Sequence, residues 1–82
     1  MKILEQVRER IKDDLPQCKT HDDVQQLFDR GQLELNQSKA PFGQRQQMWL
    51  DIKEHLSTLS RRPQVINDAH TIIDVILKRL TA

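Results

Sequence analysis

The chain has 82 residues, 37% hydrophobic and 30% charged, a length that allows one domain with a small core. Thirteen basic and twelve acidic side chains leave a net charge of +1, without the strong positive bias of a dedicated nucleic-acid binder. One cysteine excludes an intrachain disulfide, and no apolar run approaches the roughly 18 residues of a membrane span. With no secretory signal pattern either, we expect one domain over residues 1–82 in the cytoplasm.

Apolar residues recur at three- and four-residue steps in four stretches of the chain, which is typical of amphipathic helices. The first predicted helix covers about 2–14 and is ended by Pro16, because the residue before a proline disfavours the helical conformation. The second covers about 21–36. It begins after Thr20, which can cap it together with Asp23 at the third helical position.

Gly31 lies in the middle of the apolar face of the second helix and leaves two interpretations open. In one, the helix ends near Arg30 and the glycine forms its C-terminal cap. In the other, the helix continues and the glycine lets another backbone approach closely. Leu35 returns to the same face as Val24 and Phe28, which favours continuation.

The third and fourth helices are predicted at about 41–60 and 64–80. Pro41 suits a helix start, and Pro63 marks the end of the third stretch. A strand at 71–77 is the alternative for part of the last stretch, but its apolar stripe is too long for a typical strand. Four amphipathic helices with short connections predict an all-α fold, a small antiparallel bundle of four helices.

Side chains that could carry chemistry are too few for a catalytic or metal site. The spacing of Cys18 and His21 suits two metal ligands, but a structural zinc needs four. The other histidines, His55 and His70, stand alone on separate helices. A nucleophilic thiolate at Cys18 would also need an orienting group and a cleft. We therefore predict that the protein is not an enzyme and has no metal, cofactor or small-molecule substrate.

Several apolar residues lie outside the predicted core arcs, which fits either ordinary scattered exposed side chains or a patch that contacts another protein. Leu33 and Leu50 fall on the polar faces of their helices. Val75 lies outside the arc of the fourth helix, whose apolar surface, Leu77 included, exceeds what one small bundle covers. We expect these four residues to contribute to a partner-binding surface.

Arg45 is the fifth residue assigned to that surface, because its position falls inside the apolar arc of the third helix. A charge there must be paired or must reach water. We favour the interpretation in which Arg45 reaches water along its aliphatic stem. Stacking on Trp49, or an ion pair with an acidic group of this chain or of a partner, are the alternatives.

The sequence thus predicts a non-enzymatic protein–protein interaction module, a small regulator, adapter or inhibitor-type protein. Its partner is another protein or a second copy of itself, as a homodimer. Charged substitutions at Leu50 and Leu77 are expected to abolish association while helix content survives. The alternative is a nucleic-acid-associated regulator whose affinity would fall with salt. It would act through two basic pairs, Arg61, Arg62, Lys78 and Arg79.

Overall fold

The structure, a computed structural model, describes residues 2–59 and 62–81. This part of the chain forms four α-helices and no strand, which confirms the predicted all-α bundle and makes the strand alternative at 71–77 wrong. A 3-10 turn, Leu15–Gln17, follows the first helix at the predicted proline. The helices are α1 (Lys2–Asp14), α2 (His21–Ser38), α3 (Phe42–Leu56) and α4 (Pro63–Thr81).

The start of α2 is fixed by the capping box that the sequence predicts. The hydroxyl of Thr20 accepts a hydrogen bond from the backbone N–H of Asp23 at 3.2 Å. The Asp23 carboxylate accepts in return from the backbone N–H groups of Lys19 at 3.0 Å and Thr20 at 3.2 Å. These backbone hydrogen bonds, that of Lys19 foremost, lower the pKa of the Asp23 carboxyl.

Gly31 lies inside α2, so the helix continues as favoured, and it ends at Ser38 with Lys39 in the left-handed conformation at φ 56°. A Cβ at Gly31 would lie 3.0 Å from Cδ1 of Ile11 and 3.3 Å from Cγ1 of Val7. The missing side chain of Gly31 therefore leaves room for side chains of α1. The sequence had suggested the close approach of another backbone instead.

The third helix is shorter than the predicted 41–60, because α3 ends at Leu56. The hydroxyls of Ser57 and Thr58 donate to backbone carbonyls three residues earlier, at 2.6 and 2.7 Å. Such local hydrogen bonds compete with continuation of a helix. Leu59, which continues the apolar stripe, packs against the core from the turn instead. The last residue of the prediction lies outside the described residues.

The helices neighbour one another in the order α1, α2, α4, α3 around the bundle, because α1 and α4 each pack mainly on α2 and α3. The Arg62 guanidinium donates to the carbonyls of Pro16 at 3.0 Å and Cys18 at 3.2 Å. This contact places the start of α4 beside the start of α2. The two helices therefore run in the same direction, as expected when short loops join four successive antiparallel helices.

The core is apolar and centred on two aromatic rings. Phe28 and Trp49 are fully buried in an edge-to-face arrangement, with ring centroids 5.4 Å apart. The Trp49 indole N–H donates to Gln32 Oε1 at 3.3 Å, which satisfies its one polar atom. Among the described residues, no polar or charged residue is buried and no helix is long and apolar enough to cross a bilayer.

Candidate functional site

Ion pairs cross three of the four seams between neighbouring helices. Arg10–Glu34 joins α1 to α2 at 2.6 Å, Arg8–Asp51 joins α1 to α3 at 3.5 Å, and Lys53–Asp74 joins α3 to α4 at 2.6 Å. Such exposed pairs add little to stability, but they cover a seam with charge. No ion pair joins α2 to α4 within residues 2–59 and 62–81, so this seam has a different surface.

The α2–α4 seam forms a groove of about 560 Å³ with an apolar centre. Leu33 of α2 and Val75 of α4 line it and are 57% and 45% exposed. Beneath them, Ile72 and Ile76 belong to the core and are each 7% exposed. Leu33 and Val75 both lie twelve residues after the first residue of their helices, one on each of the two helices that form the groove. The structure thus brings together two of the predicted surface residues. We call this surface, with the residues that line it, the α2–α4 groove.

Polar side chains line the groove above and below this apolar centre. Asp29 lies one turn before Leu33, and its Oδ1 accepts a hydrogen bond from Gln25 Nε2 at 2.8 Å. Arg79 lies one turn after Val75, is exposed, and makes no side-chain hydrogen bond or ion pair with any described residue. The groove therefore offers one acidic and one basic group around an apolar centre.

Two other predicted surface residues lie elsewhere. Leu50 is 41% exposed on α3 and does not line the groove. Leu77 is half-buried and packs against the core, so a charge there would disturb the fold as well as any surface. Phe42, at the start of α3, is 48% exposed, which the apolar pattern of α3 did not indicate. These residues do not form one surface with the groove.

Arg45 binds polar groups at the end of α2, an arrangement that the sequence did not suggest. Its Nη1 donates to Oδ1 of Asn36 at 2.7 Å, and its Nη2 donates to the carbonyl of Leu35 at 2.8 Å. Its Nε is buried and has no partner among the described residues. Arg45 therefore ties the start of α3 to the C-terminal end of α2, where a helix favours positive charge. A role toward a partner stays a prediction.

Of the two basic pairs named for the nucleic-acid alternative, the members that the structure describes lie at opposite ends of α4. Arg62 precedes the helix and its guanidinium is bound to backbone carbonyls, while Arg61 lies outside the described residues. Lys78 and Arg79 are in the last turn of α4, where cations complement the helix dipole. Arg62 and Lys78 are separated by most of the length of α4, about 24 Å, so they do not share one patch.

Cys18 is buried next to the start of α2, 7% exposed, and its Sγ donates to the carbonyl of Asp14 at 3.6 Å. Burial, and then the charges of Asp23 and Asp14, raises the pKa of the Cys18 thiol, which disfavours the nucleophilic thiolate. No group of three or more His, Cys, Asp or Glu side chains is placed to hold a metal in the described part of the chain.

Comparison with known proteins finds no significant match to a family model, to a curated protein or to a solved structure. The fold and its surface define the class: in the residues that the structure describes, a small four-helix bundle with an apolar-centred groove between two helices that run in the same direction.

Proposed function

We propose that this protein is a non-enzymatic protein–protein interaction module that binds its partner in the α2–α4 groove. The observation that supports the proposal is that Leu33 and Val75, both exposed, line the same groove together with the buried Ile72 and Ile76. Covering such side chains releases about 25 cal/mol for each Å² of apolar surface removed from water. A regulator, adapter or inhibitor-type role would use the groove in this way.

The groove is a better candidate than the apolar residues exposed on α3. Phe42 and Leu50 are each exposed, but single exposed apolar side chains are common on soluble proteins. Leu33 and Val75 instead share one concave surface with polar groups around it. This arrangement of a central apolar contact within a polar rim is typical of protein interfaces.

We also infer that the protein works in a reducing, cytoplasmic compartment. Cys18 is a free thiol, and its burial in the core suits a side chain that stays reduced. Oxidising compartments instead favour small domains that hold disulfides. Fractionation of cells that express the protein, with a reporter fused to the chain, tests this placement.

The test of the proposed function is affinity capture with three versions of the chain. Wild type is compared with Leu33→Glu, which puts a charge on the groove, and with Leu50→Glu, the matched control on α3. Both leucines are exposed, so both variants are expected to keep the helix content of wild type by circular dichroism. Capture is made after nuclease treatment, so that no retained protein is held through a bridging nucleic acid.

We expect wild type and Leu50→Glu to hold a protein in stoichiometric amount, whether a second copy or a different protein, and Leu33→Glu to lose it. If Leu33→Glu held the same protein as wild type, the groove would not be the binding site. If neither wild type nor Leu50→Glu held any protein, the proposed function itself would be wrong.

A further inference from the structure

A second concave surface lies at the end of the bundle where α4 begins. It is a pocket of about 230 Å³ between the 3-10 turn, the residues that follow α3 and the first turn of α4. Its apolar walls include four aliphatic side chains, those of Leu15, Leu59, Val65 and Ile66. The first and third of these belong to the core, and the other two are partly buried against it. None of the residues that line this pocket also lines the α2–α4 groove, so the two sites are separate.

The volume of the pocket sets the size of the group that it can hold. An apolar cavity of about 150 Å³ is already large enough to bind benzene. The pocket at the start of α4 therefore has room for one ring with a short substituent, or for a chain of about seven carbons. Water finds few hydrogen-bond partners on aliphatic walls, so replacing it with an apolar group is favourable.

Arg62 gives this pocket a charged group. It lines the pocket and is exposed, and a single nitrogen of its guanidinium, Nη1, donates to the carbonyls of Pro16 and Cys18. The other two nitrogens, Nη2 and Nε, donate to no described residue. Within the described part of the chain, no acidic side chain pairs with Arg62 or lines the pocket. The guanidinium can therefore accept an anion beside the apolar walls.

The backbone fixes Arg62 in this position. Its φ is 51°, in the left-handed region that is uncommon for a residue with a side chain. Its carbonyl accepts the hydrogen bond of the Ile66 N–H at 3.1 Å, which begins the hydrogen bonding of α4. Such conformations persist where the surrounding contacts determine them, and they cluster at ligand sites. A side chain that is already held loses little freedom when it binds an anion.

We propose that this pocket binds a small amphiphilic carboxylate, with an apolar body of about seven carbons between the aliphatic walls and the carboxylate on Nη2 and Nε of Arg62. A carboxylate is chosen over an alcohol or an amine because the N–H groups of a guanidinium match the two oxygens of a carboxylate. The molecule is a bound ligand and is not converted, so the prediction that the protein is not an enzyme is unaffected. The inference does not rest on the proposed function, which uses the α2–α4 groove.

The test uses sodium octanoate as the probe, with 1-octanol and octylamine as the uncharged and cationic compounds of equal chain length. Each is titrated into the ¹⁵N-labelled chain. We expect octanoate to bind with a Kd of about 1 mM or tighter, and octylamine at least about fivefold more weakly. The amide shifts that change most are expected in residues 15–18, 58–59 and 62–66, which surround the pocket.

The chain length of the probe tests whether its tail is confined. Burial of each further methylene is worth about a fourfold gain in affinity, so octanoate is expected to bind about fifteenfold more tightly than hexanoate. Dodecanoate is expected to gain far less over octanoate than its four further methylenes would give, because the pocket is already full. A constant gain per methylene up to dodecanoate would contradict a pocket of this volume.

Two variants separate the walls of the pocket from its charge. Ile66→Phe fills the pocket and is expected to weaken octanoate binding at least about tenfold. Ile3→Phe, the same change at a half-buried isoleucine of α1 outside the pocket, is the matched control and is expected to bind like wild type. Arg62→Gln is expected to bring the affinities for octanoate and octylamine within about twofold of each other, while the affinity for 1-octanol stays unchanged. Circular dichroism checks that each variant keeps its helix content.

Three outcomes would overturn the inference. The absence of localised shifts with octanoate up to about 10 mM would show that the pocket does not bind this class of ligand. Equal affinities of wild type for octanoate and octylamine would show that Arg62 does not select a carboxylate. Unchanged octanoate binding by Ile66→Phe would show that octanoate binds at another site.

Discussion

Gly31 lies in an environment with little room for a side chain. A Cβ at this position would lie 3.0 Å from Cδ1 of Ile11, a side chain that is itself 1% exposed. We expect Gly31→Val to lower the free energy of unfolding by about 2–3 kcal/mol, through overpacking against α1. Gly31→Ala is expected to stay within about 1 kcal/mol of wild type, because its gain in helix propensity offsets a small shift of Ile11.

Urea denaturation of the two glycine variants measures this difference, with circular dichroism at 222 nm as the signal. A valine variant as stable as wild type would show that α1 can move away from α2 without cost, contrary to the packing described for Gly31.

Thr20 is the second residue with a defined local effect, since its hydroxyl caps the start of α2. We expect Thr20→Ala to lower the free energy of unfolding by about 1 kcal/mol, because the N–H of Asp23 loses its acceptor. Thr20→Ser keeps the hydroxyl and serves as the matched control. Equal melting temperatures of the alanine and serine variants would contradict a stabilising cap.

Cys18 gives a prediction about pH. Its thiol pKa is raised above 9.0, mainly by burial, so the folded chain holds the proton at pH values where the unfolded chain begins to lose it. This contribution to stability is present below pH 9 and is lost as the pH rises through the folded-state value. We expect alkylation by iodoacetamide at pH 8 to be slower in the native protein than in urea. Equal rates would show an accessible, ordinary thiol.

Local residue patterns predicted the parts of the fold that depend on residues close together in the sequence. The cap at Thr20 and the break at Pro16 follow from groups within three or four residues, so the sequence predicted them. The partners of Arg45 lie nine and ten residues away, on another helix, and could not be read from the pattern of α3. The position of a charge on an apolar arc showed only that Arg45 had to be paired or reach water, and the favoured interpretation was water.

At the scale of helices, Arg45 acts as a connection between α2 and α3. We expect Arg45→Ala to lower the free energy of unfolding by about 1–2 kcal/mol, because two charged hydrogen bonds to the end of α2 are lost. Gln44→Ala, at the exposed neighbouring position, is the control and is expected to be neutral. Equal urea midpoints for the two alanine variants would mean that Arg45 contributes nothing to the junction.

At the scale of helices, the apolar pattern predicted the wrong end for α3. Leu59 continues the seven-residue step of the helix, so the pattern extended α3 to the end of the stretch. The hydroxyls of Ser57 and Thr58 bind carbonyls of the preceding turn and end the helix first. Leu59 still reaches the core, because a turn can present the same side chain to the same cluster. Apolar spacing therefore predicted burial better than it predicted the helix boundary.

At the scale of the whole molecule, the candidate site depends on how the helices are arranged. The helical pattern identified Leu33 and Val75 as residues outside the core, and both are exposed. That both line one groove follows from the contact between α2 and α4, which the pattern of a single helix does not contain. Asp29 was missed for the same reason, since an exposed acid is ordinary until the structure shows that it lines a groove with an apolar centre.

The most direct test of the central claim, that the α2–α4 groove is the binding surface, is an NMR titration of the ¹⁵N-labelled chain. Unlabelled copies of the chain are added first, and then any protein captured by wild type. We predict that the amide shifts that change most lie in residues 29–36 of α2 and 71–79 of α4. Shifts centred instead on α3 around Phe42 and Leu50, or no shift with either addition, would contradict the claim.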